Sequence, residues 1–311
     1  MTIEQLISNP EYKEKFVLQK LICYFLDYTK EEMRLNASQE ITADQEKKIL
    51  EVYHDIVDNN KPLEYALGFV EFFKRKFHVN ENTIIPRPET EYMITAVTED
   101  IDATREKEWK TGEAAICKLD DSKIWDDASC HTLMDIWTGS GILGISVLLQ
   151  NPCFFKRAIF TDVSEKALAV AQQNYEILVK DHDFPVEFIK SDLLSFYESP
   201  GFKKWNCDIT LVANLPYIPQ KMFEENAADN VQKREPKLAF VSGDDWLIHY
   251  RKMFDQILAY GLWVTADLRM FLEMMTRQVD ILRQEYKENF VFEEVKTFHF
   301  NIRIVKATLL K

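Results

Sequence analysis

Leu133-Met134-Asp135-Ile136 runs straight into Trp137-Thr138-Gly139-Ser140-Gly141 and then into Ile142-Leu143-Gly144-Ile145. A short apolar run, a turn of mostly small residues and a second apolar run read as strand, loop and helix. Small residues in such a loop let backbone N–H groups approach a ligand closely. Downstream the same alternation continues, with strands expected at 133–136, 158–161, 186–189, 209–213 and 262–266, and helices at 142–150, 164–180, 244–259 and 270–288. Strands alternating with amphipathic helices imply right-handed crossovers and a mainly parallel sheet covered on both faces, an α/β fold. Residues 290–296 and 298–310 read as two adjacent strands that add an antiparallel edge.

Upstream of that stretch the pattern changes. Phe16, Leu18, Leu21, Ile22, Phe25 and Leu26 recur at helical spacing, as do Ile49, Val52, Tyr53 and Ile56, so residues 1–62 read as a small helical domain. Residues 63–88 then form a connector: a hairpin over 69–79, followed by the extended Ile84-Ile85-Pro86-Arg87-Pro88. The third unit is 89–311. It opens with a helix from about Glu89 to Asp100, and residues 102–131, polar and weakly periodic, read as a surface loop insertion.

The 311 residues suit two domains, and 46% hydrophobic with 29% charged residues excludes a disordered or collagen-like chain. A net charge of −13 argues against nucleic acid as the main partner. No basic flank with an apolar run opens the chain, and no run approaches membrane-spanning length, so a cytoplasmic protein without membrane contact is expected. Cys23, Cys117, Cys130, Cys153 and Cys207 are scattered and read as reduced thiols, and the six histidines show no metal-ligand spacing. No metal is expected. Phosphate-loop and Ser-His-Asp patterns are missing.

Asp135 closes the first strand of the α/β region, and Asp162 closes the next, 27 residues later, where a carboxylate can take both hydroxyls of a ribose. Asp192, in Ser191-Asp192-Leu193, follows the third strand and is placed to meet an adenine amino group, or else serves as a turn residue. Asn214-Leu215-Pro216-Tyr217 ends the fourth strand, where open α/β sheets place their ligands. A planar amide nitrogen is a poor nucleophile with two N–H donors. The Asn214 side-chain oxygen and the Leu215 carbonyl can accept both, while the Tyr217 ring packs on the amide plane.

With these residues in place, the chain resembles the N5-glutamine methyltransferases that act on peptide-chain release factors. The likeness covers most of the sequence. It rests above all on Ile85-Pro86-Arg87-Pro88-Glu89-Thr90-Glu91, then on the loop at 135–141, Asp162, Asn214–Tyr217 with Ile218-Pro219, Arg234-Glu235-Pro236 and Gly243-Asp244-Asp245. The resemblance implies a Rossmann-like class I methyltransferase sheet, a helical N-terminal domain that helps hold the release factor, S-adenosylmethionine as donor and a monomer. It also implies a Gly-Gly-Gln loop of the release factor inserted at Asn214–Tyr217. It assigns Asn214, Pro216 and Tyr217 to catalysis, and Asp135, Trp137, Thr138, Gly139, Ser140, Gly141, Asp162, Asp192, Leu193 and Asn214 to the cofactor. Arg87, Glu89, Asn214, Leu215, Pro216 and Tyr217 fall to the substrate. No general base is assigned, since the sulfonium methyl is already activated.

Three departures qualify the match. Leu215 replaces the family's second proline, and Asn-Leu-Pro-Tyr is also the form of ribosomal RNA adenine N6-dimethyltransferases, which makes an adenine N6-methyltransferase the second reading. Trp137 stands where the family's loop has its first glycine, and Trp246 replaces another. Glycine is scarce, 8 of 311 or about 2.6%, against a usual share of about 7%, while tryptophan occurs six times. Trp109, Trp125 and Trp205 lie in polar stretches suited to a turn glycine. One explanation is that these tryptophans come from UGA codons that the source organism reads as glycine, which would raise glycine from 8 to 14. The other is that Trp137 is genuine, in an adapted or inactive loop, and a non-catalytic adaptor is the third reading.

Overall fold

A computed structural model describes residues 1–111, 131–179, 185–200, 202, 208–262, 267–297 and 302–310. The chain packs as two compact units, Met1–Phe69 with Asp229–Arg234, and Val70–Ala228 with Glu235–Lys311.

The first unit is helical: α1 (Ile3–Ser8), α2 (Lys15–Leu26), α3 (Lys30–Leu35), α4 (Ala43–Val57) and α5 (Leu63–Leu67). The hydroxyls of Thr2, Thr29 and Thr42 each accept a backbone N–H, from Gln5, Glu32 and Gln45, and each threonine N–H donates back to that residue's side-chain oxygen, so these N-termini are closed by reciprocal bonds. Ile3, Leu6, Leu18, Leu21, Ile22 and Ile49 meet in a core from which solvent is excluded. The hairpin β1 (Phe69–Phe72) and β2 (Arg75–His78) follows. Its two-residue turn, Phe73-Lys74, holds φ of +44° and +63°, the geometry that matches strand twist in tight hairpins. The Phe73 N–H donates to Glu91 Oε1 at 2.8 Å.

The second unit is a doubly wound α/β sheet. In chain order it contains α6 (Glu91–Thr111), β3 (His131–Ile136), α7 (Ile142–Gln150), β4 (Phe155–Asp162), α8 (Glu165–Leu178), β5 (Val186–Lys190) and β6 (Asp208–Ala213). Next come α9 (Gln220–Asn226), α10 (Asp229–Arg234, which belongs to the helical unit), α11 (Ile248–Tyr260), β7 (Leu268–Met275), α12 (Thr276–Glu285), β8 (Phe290–Thr297) and β9 (Ile302–Leu309). Seven strands lie in the order β5-β4-β3-β6-β7-β9-β8. The first five are parallel, and β9 and β8 add an antiparallel edge, as the tail was expected to do. Every residue of β3 is buried, the pattern of a strand covered by helices on both faces. Strand order reverses between β3 and β6, so the crevice at their carboxyl ends is where such sheets bind ligands.

Two expectations fail for the same physical reason, partners far away in sequence. Residues 270–288 are not one helix: Leu268–Met275 is a strand, and α12 starts at Thr276. Leucine, methionine, glutamate and arginine favour helix locally, but this segment fills the slot between β6 and β9, and all of it through Met274 is buried. Of the strand expected at 262–266, Leu262 is in a turn, and the rest lies outside the described residues. The helix expected to stop near Asp100 runs on to Thr111, shortening the loop read over 102–131, of which 112–130 lies outside the described residues. Ile101 is buried, Arg269 donates to Asp100 at 3.0 Å and Thr104 at 2.6 Å, and Arg105 donates to the Pro152 carbonyl at 2.9 Å. Trp109, Trp125, Trp205, Cys117, Cys130, Cys207, His182 and His299 offer no described side chain.

Candidate active site

The loop after β3 is held from two sides. Asp135, fully buried at the strand end, accepts the Thr138 hydroxyl at 2.6 Å and the Gly144 N–H at 2.8 Å through one oxygen, Oδ2. Burial pushes its carboxyl up to about 7, the Asp162 charge adds to this, and the Thr138 and Gly144 bonds oppose it. Asp162 ends β4 and accepts the Gly139 N–H at 3.0 Å and the Ser164 N–H at 2.9 Å, one on each oxygen. Burial raises its pKa against those backbone bonds. Each carboxylate oxygen keeps a lone pair for a ligand hydroxyl at Asp162. Asn174 donates to the Ser140 carbonyl at 2.8 Å, fixing the loop against α8.

Glycine is required at two points here. Gly141 caps α7 with φ +77°, and a Cβ there would lie 2.8 Å from Ile145 Cδ1. A Cβ on Gly144 would lie 2.6 Å from the Phe160 ring and 2.7 Å from Asp135 Oδ2. Trp137 holds φ +57° in the same loop, a left-handed backbone that costs an L residue about 1–2 kcal/mol. Its ring packs on His249 with centroids 4.6 Å apart, and its buried indole N–H finds no hydrogen-bond partner among the described residues. Burial lowers the His249 pKa, against the Asp192 charge. Trp246, by contrast, is not in the left-handed region; its carbonyl accepts from Gln278 at 2.6 Å.

The turn after β6 faces this loop. Asn214 Nδ2 donates to Thr90 Oγ1 at 3.3 Å, and Thr90 Oγ1 donates to Glu273 Oε2 at 2.9 Å. Leu215 and Pro216 are buried, and Tyr217 packs against the core. Burial raises the Tyr217 hydroxyl well above its ordinary value, and the charges of Glu273 and Glu89 reinforce this. Arg87 closes the mouth: its guanidinium donates to Glu235 Oε1 at 2.9 Å and lies 5.6 Å over the Phe240 ring. Glu235 also accepts the Ile85 N–H at 3.0 Å.

These groups line one cavity of about 260 Å³. Its wall takes in Arg87, Asp135, Trp137, Thr138, Gly139, Ser140, Asp162, Asn214, Leu215, Pro216 and Tyr217. Four expected residues stand off the wall. Gly141 shapes the loop from behind. Glu89 acts on Tyr217 and Glu273 through its charge. Asp192, expected to meet an adenine amino group, lies off this wall with its carboxylate paired to Lys252. Leu193, φ +56°, is sealed in the core. Conversely, Glu273 and Phe240 line the cavity without having been singled out in the sequence. Glu273 was hidden inside a stretch that reads as helix; the signal available was an eight-residue, mostly apolar run with one carboxylate.

The arrangement places an oxygen-accepting Asn, a tyrosine ring and a backbone-lined loop around one space, which suits transfer of a small group to a planar nitrogen. Among the described residues no three His, Cys, Asp or Glu side chains are grouped to hold a metal, and no helix is long and apolar enough to cross a membrane.

No protein-family model matches the chain. It is similar to the release factor glutamine methyltransferase of Bacillus cereus, 31% identical over 237 residues, 76% of this chain and 72% of the relative. The Lactococcus lactis subsp. lactis protein of the same description is 32% identical over 270 residues, 86% and 83% of the two chains. That of Flavobacterium psychrophilum is 36% identical over 195 residues, 62% and 56%. Among solved structures, the hMettl16 catalytic domain in complex with MAT2A 3′UTR hairpin 1 superposes with a TM-score of 0.51 at 13% identity, covering 97% of this chain and 94% of that one. At that identity the likeness concerns the fold.

Proposed function

The chain belongs to the release factor glutamine methyltransferases, and from this premise we propose that it moves a methyl group from S-adenosylmethionine to the side-chain amide nitrogen, N5, of the glutamine in a release factor's Gly-Gly-Gln loop. The observation that carries the reading is that the small-residue loop after β3 and Asn214–Tyr217 after β6 line one cavity at the switch of strand order. The helical unit is assigned to holding the release factor.

The wall fits such a donor in most respects. Nothing lies within 4 Å of the point a Cβ would occupy on Gly139, so a ligand can approach that backbone. Asp162 has lone pairs for ribose hydroxyls, and Ile142, Leu143 and Ala167 supply apolar surface. The bound donor supplies an electrophilic sulfonium methyl. Trp137 is the misfit: its indole takes up wall space, and about 260 Å³ is below the roughly 300–1,000 Å³ of ordinary ligand pockets. Position 137 is accordingly assigned as a glycine site, in line with its backbone angle.

On the acceptor side, Asn214 presents Oδ1 to one amide N–H of the glutamine and the Leu215 carbonyl takes the other, aiming the nitrogen lone pair in line with the methyl. Tyr217 packs on the amide plane. Held neutral by burial, its hydroxyl is no base, so the proton released after attack leaves through a carbonyl oxygen or water. The test is to incubate the protein and its Trp137→Gly variant with S-adenosylmethionine and a purified release factor and to weigh the Gly-Gly-Gln peptide. One added methyl on the glutamine is expected; no gain with either protein overturns the reading.

A further inference from the structure

Glu273 lies next to Leu272, which pairs with Ala213, so β7 sets this carboxylate beside Asn214 at the end of β6. It is 2% exposed, yet no cation pairs with it among the described contacts. Its partners are the Thr90 hydroxyl, the Asn214 amide and the Tyr217 hydroxyl, and Tyr250 donates to its backbone carbonyl. An isolated buried carboxylate is unfavourable unless hydrogen bonds compensate it, and here all three compensating side chains line the cavity.

We propose that Glu273 is the positioning residue of the site: accepting from Asn214 both directly and through Thr90, and from Tyr217, it turns the Asn214 amide so that Nδ2 faces the protein and Oδ1 faces the cavity. The inference rests on the glutamine-methylation reading. Its logic is the polarity of a hydrogen-bond relay. A carboxylate only accepts, so Thr90 must give its single proton to Glu273, and its oxygen then accepts from Asn214 Nδ2. An Asn amide is nearly symmetric in shape, and reversed it would set N–H against the substrate's N–H. A protonated Glu273 can donate to Thr90, which frees the Thr90 proton for Asn214 Oδ1 and reverses the amide.

The relay therefore carries a pH signature. Burial pushes the Glu273 carboxyl up to about 7, the Glu89 charge adds to this, and the Thr90, Asn214 and Tyr217 bonds oppose it. Tyr250, on α11, also faces it and stays neutral, and Arg87 acts on the same cluster through Tyr217. Turnover should fall as pH drops through about 7, because protonation reverses the relay.

Two substitutions test this, in the parent and in the Trp137→Gly background. Glu273→Gln can donate as well as accept, so kcat should fall by about 10- to 100-fold, the scale of a misplaced reacting group, while the Kd for S-adenosylhomocysteine stays within about twofold and the acid limb disappears. Thr90→Val removes the relayed route and leaves the direct Asn214 contact, so it should show the same split at smaller size, and Thr90→Ser should restore most of the loss. Parent kcat with the acid limb intact in Glu273→Gln overturns the inference, as does equal loss in Thr90→Val and Thr90→Ser, or a fall in cofactor affinity that matches the fall in kcat. Absence of methyl transfer from the parent chain in both backgrounds would overturn the functional reading, and this inference with it.

Discussion

The loop after β3 and the turn after β6 line the same cavity, but their partners lie at very different distances along the chain. Asp135 and Asp162 hold the first through bonds to residues 3, 9 and 23 positions away. Asn214 is held through Thr90, 124 positions away, and Thr90 through Glu273, 183 positions away. The cofactor side is thus a local construction of backbone donors on two carboxylates. The acceptor side is assembled by the fold from three remote side chains. A local construction tolerates little change in shape, whereas an assembled one depends on the direction of each hydrogen bond.

Removing the acceptor group tests that contrast most severely. Asn214→Ala should lower kcat by about 10²-fold or more and leave S-adenosylhomocysteine affinity within about twofold, read by steady-state kinetics and calorimetry. A parallel loss of affinity would mean that Asn214 serves the cofactor side instead. On the other side the sensitive feature is shape. Gly144→Ala would place a methyl 2.6 Å from the Phe160 ring and 2.7 Å from Asp135 Oδ2, both buried. Overpacking of this kind costs about 1–3 kcal/mol, so the urea midpoint should fall and cofactor binding should weaken with it. An unchanged midpoint would show that α7 can shift freely.

Trp137→Gly should improve the same region. The left-handed backbone is relieved, the indole leaves the wall, and S-adenosylhomocysteine should bind about tenfold more tightly, or about 1.4 kcal/mol. A UGA codon at 137, or a glycine mass in the native peptide, would explain why the backbone there fits glycine better than tryptophan. A UGG codon with unchanged affinity would instead make Trp137 a genuine part of the wall.

Legibility follows the same divide. Asp135, Gly139, Gly141 and Asp162 could be read from the chain because a strand, a small-residue loop and a helix are contiguous. Asn214–Tyr217 was visible for the same reason, as a proline-bearing strand end. Glu273 was not, because Leu268–Met275 prefers helix until β6 and β9 enclose it. The true length of α6 was hidden likewise, since Asp100 and Thr104 meet Arg269 169 and 165 positions away. The pairing of Asp192 with Lys252, 60 positions away, was likewise not visible in the strand-end pattern. The left-handed angle at Trp137 is a backbone property; the glycine that the resembled family carries there and the scarcity of glycine in the chain pointed to it beforehand.

The last effect is on stability against pH, spread over several pH units, and it treats both sides alike. Asp135 and Glu273 are each held at about 7, whereas an unfolded carboxyl titrates near 4. Between those values the folded chain keeps protons that the unfolded chain has lost. Their contribution is therefore fully present below about pH 4, is lost as pH rises toward 7, and is flat above it. One such group changes stability by at most about 1.4 kcal/mol per pH unit. Tm measured from pH 5 to 8 should fall with pH relative to Asp135→Asn and to Glu273→Gln, each variant removing its own share of the slope. If Glu273→Gln flattened the profile and Asp135→Asn did not, the Thr138 and Gly144 bonds would be holding Asp135 ionised, and the local construction would be the better compensated of the two.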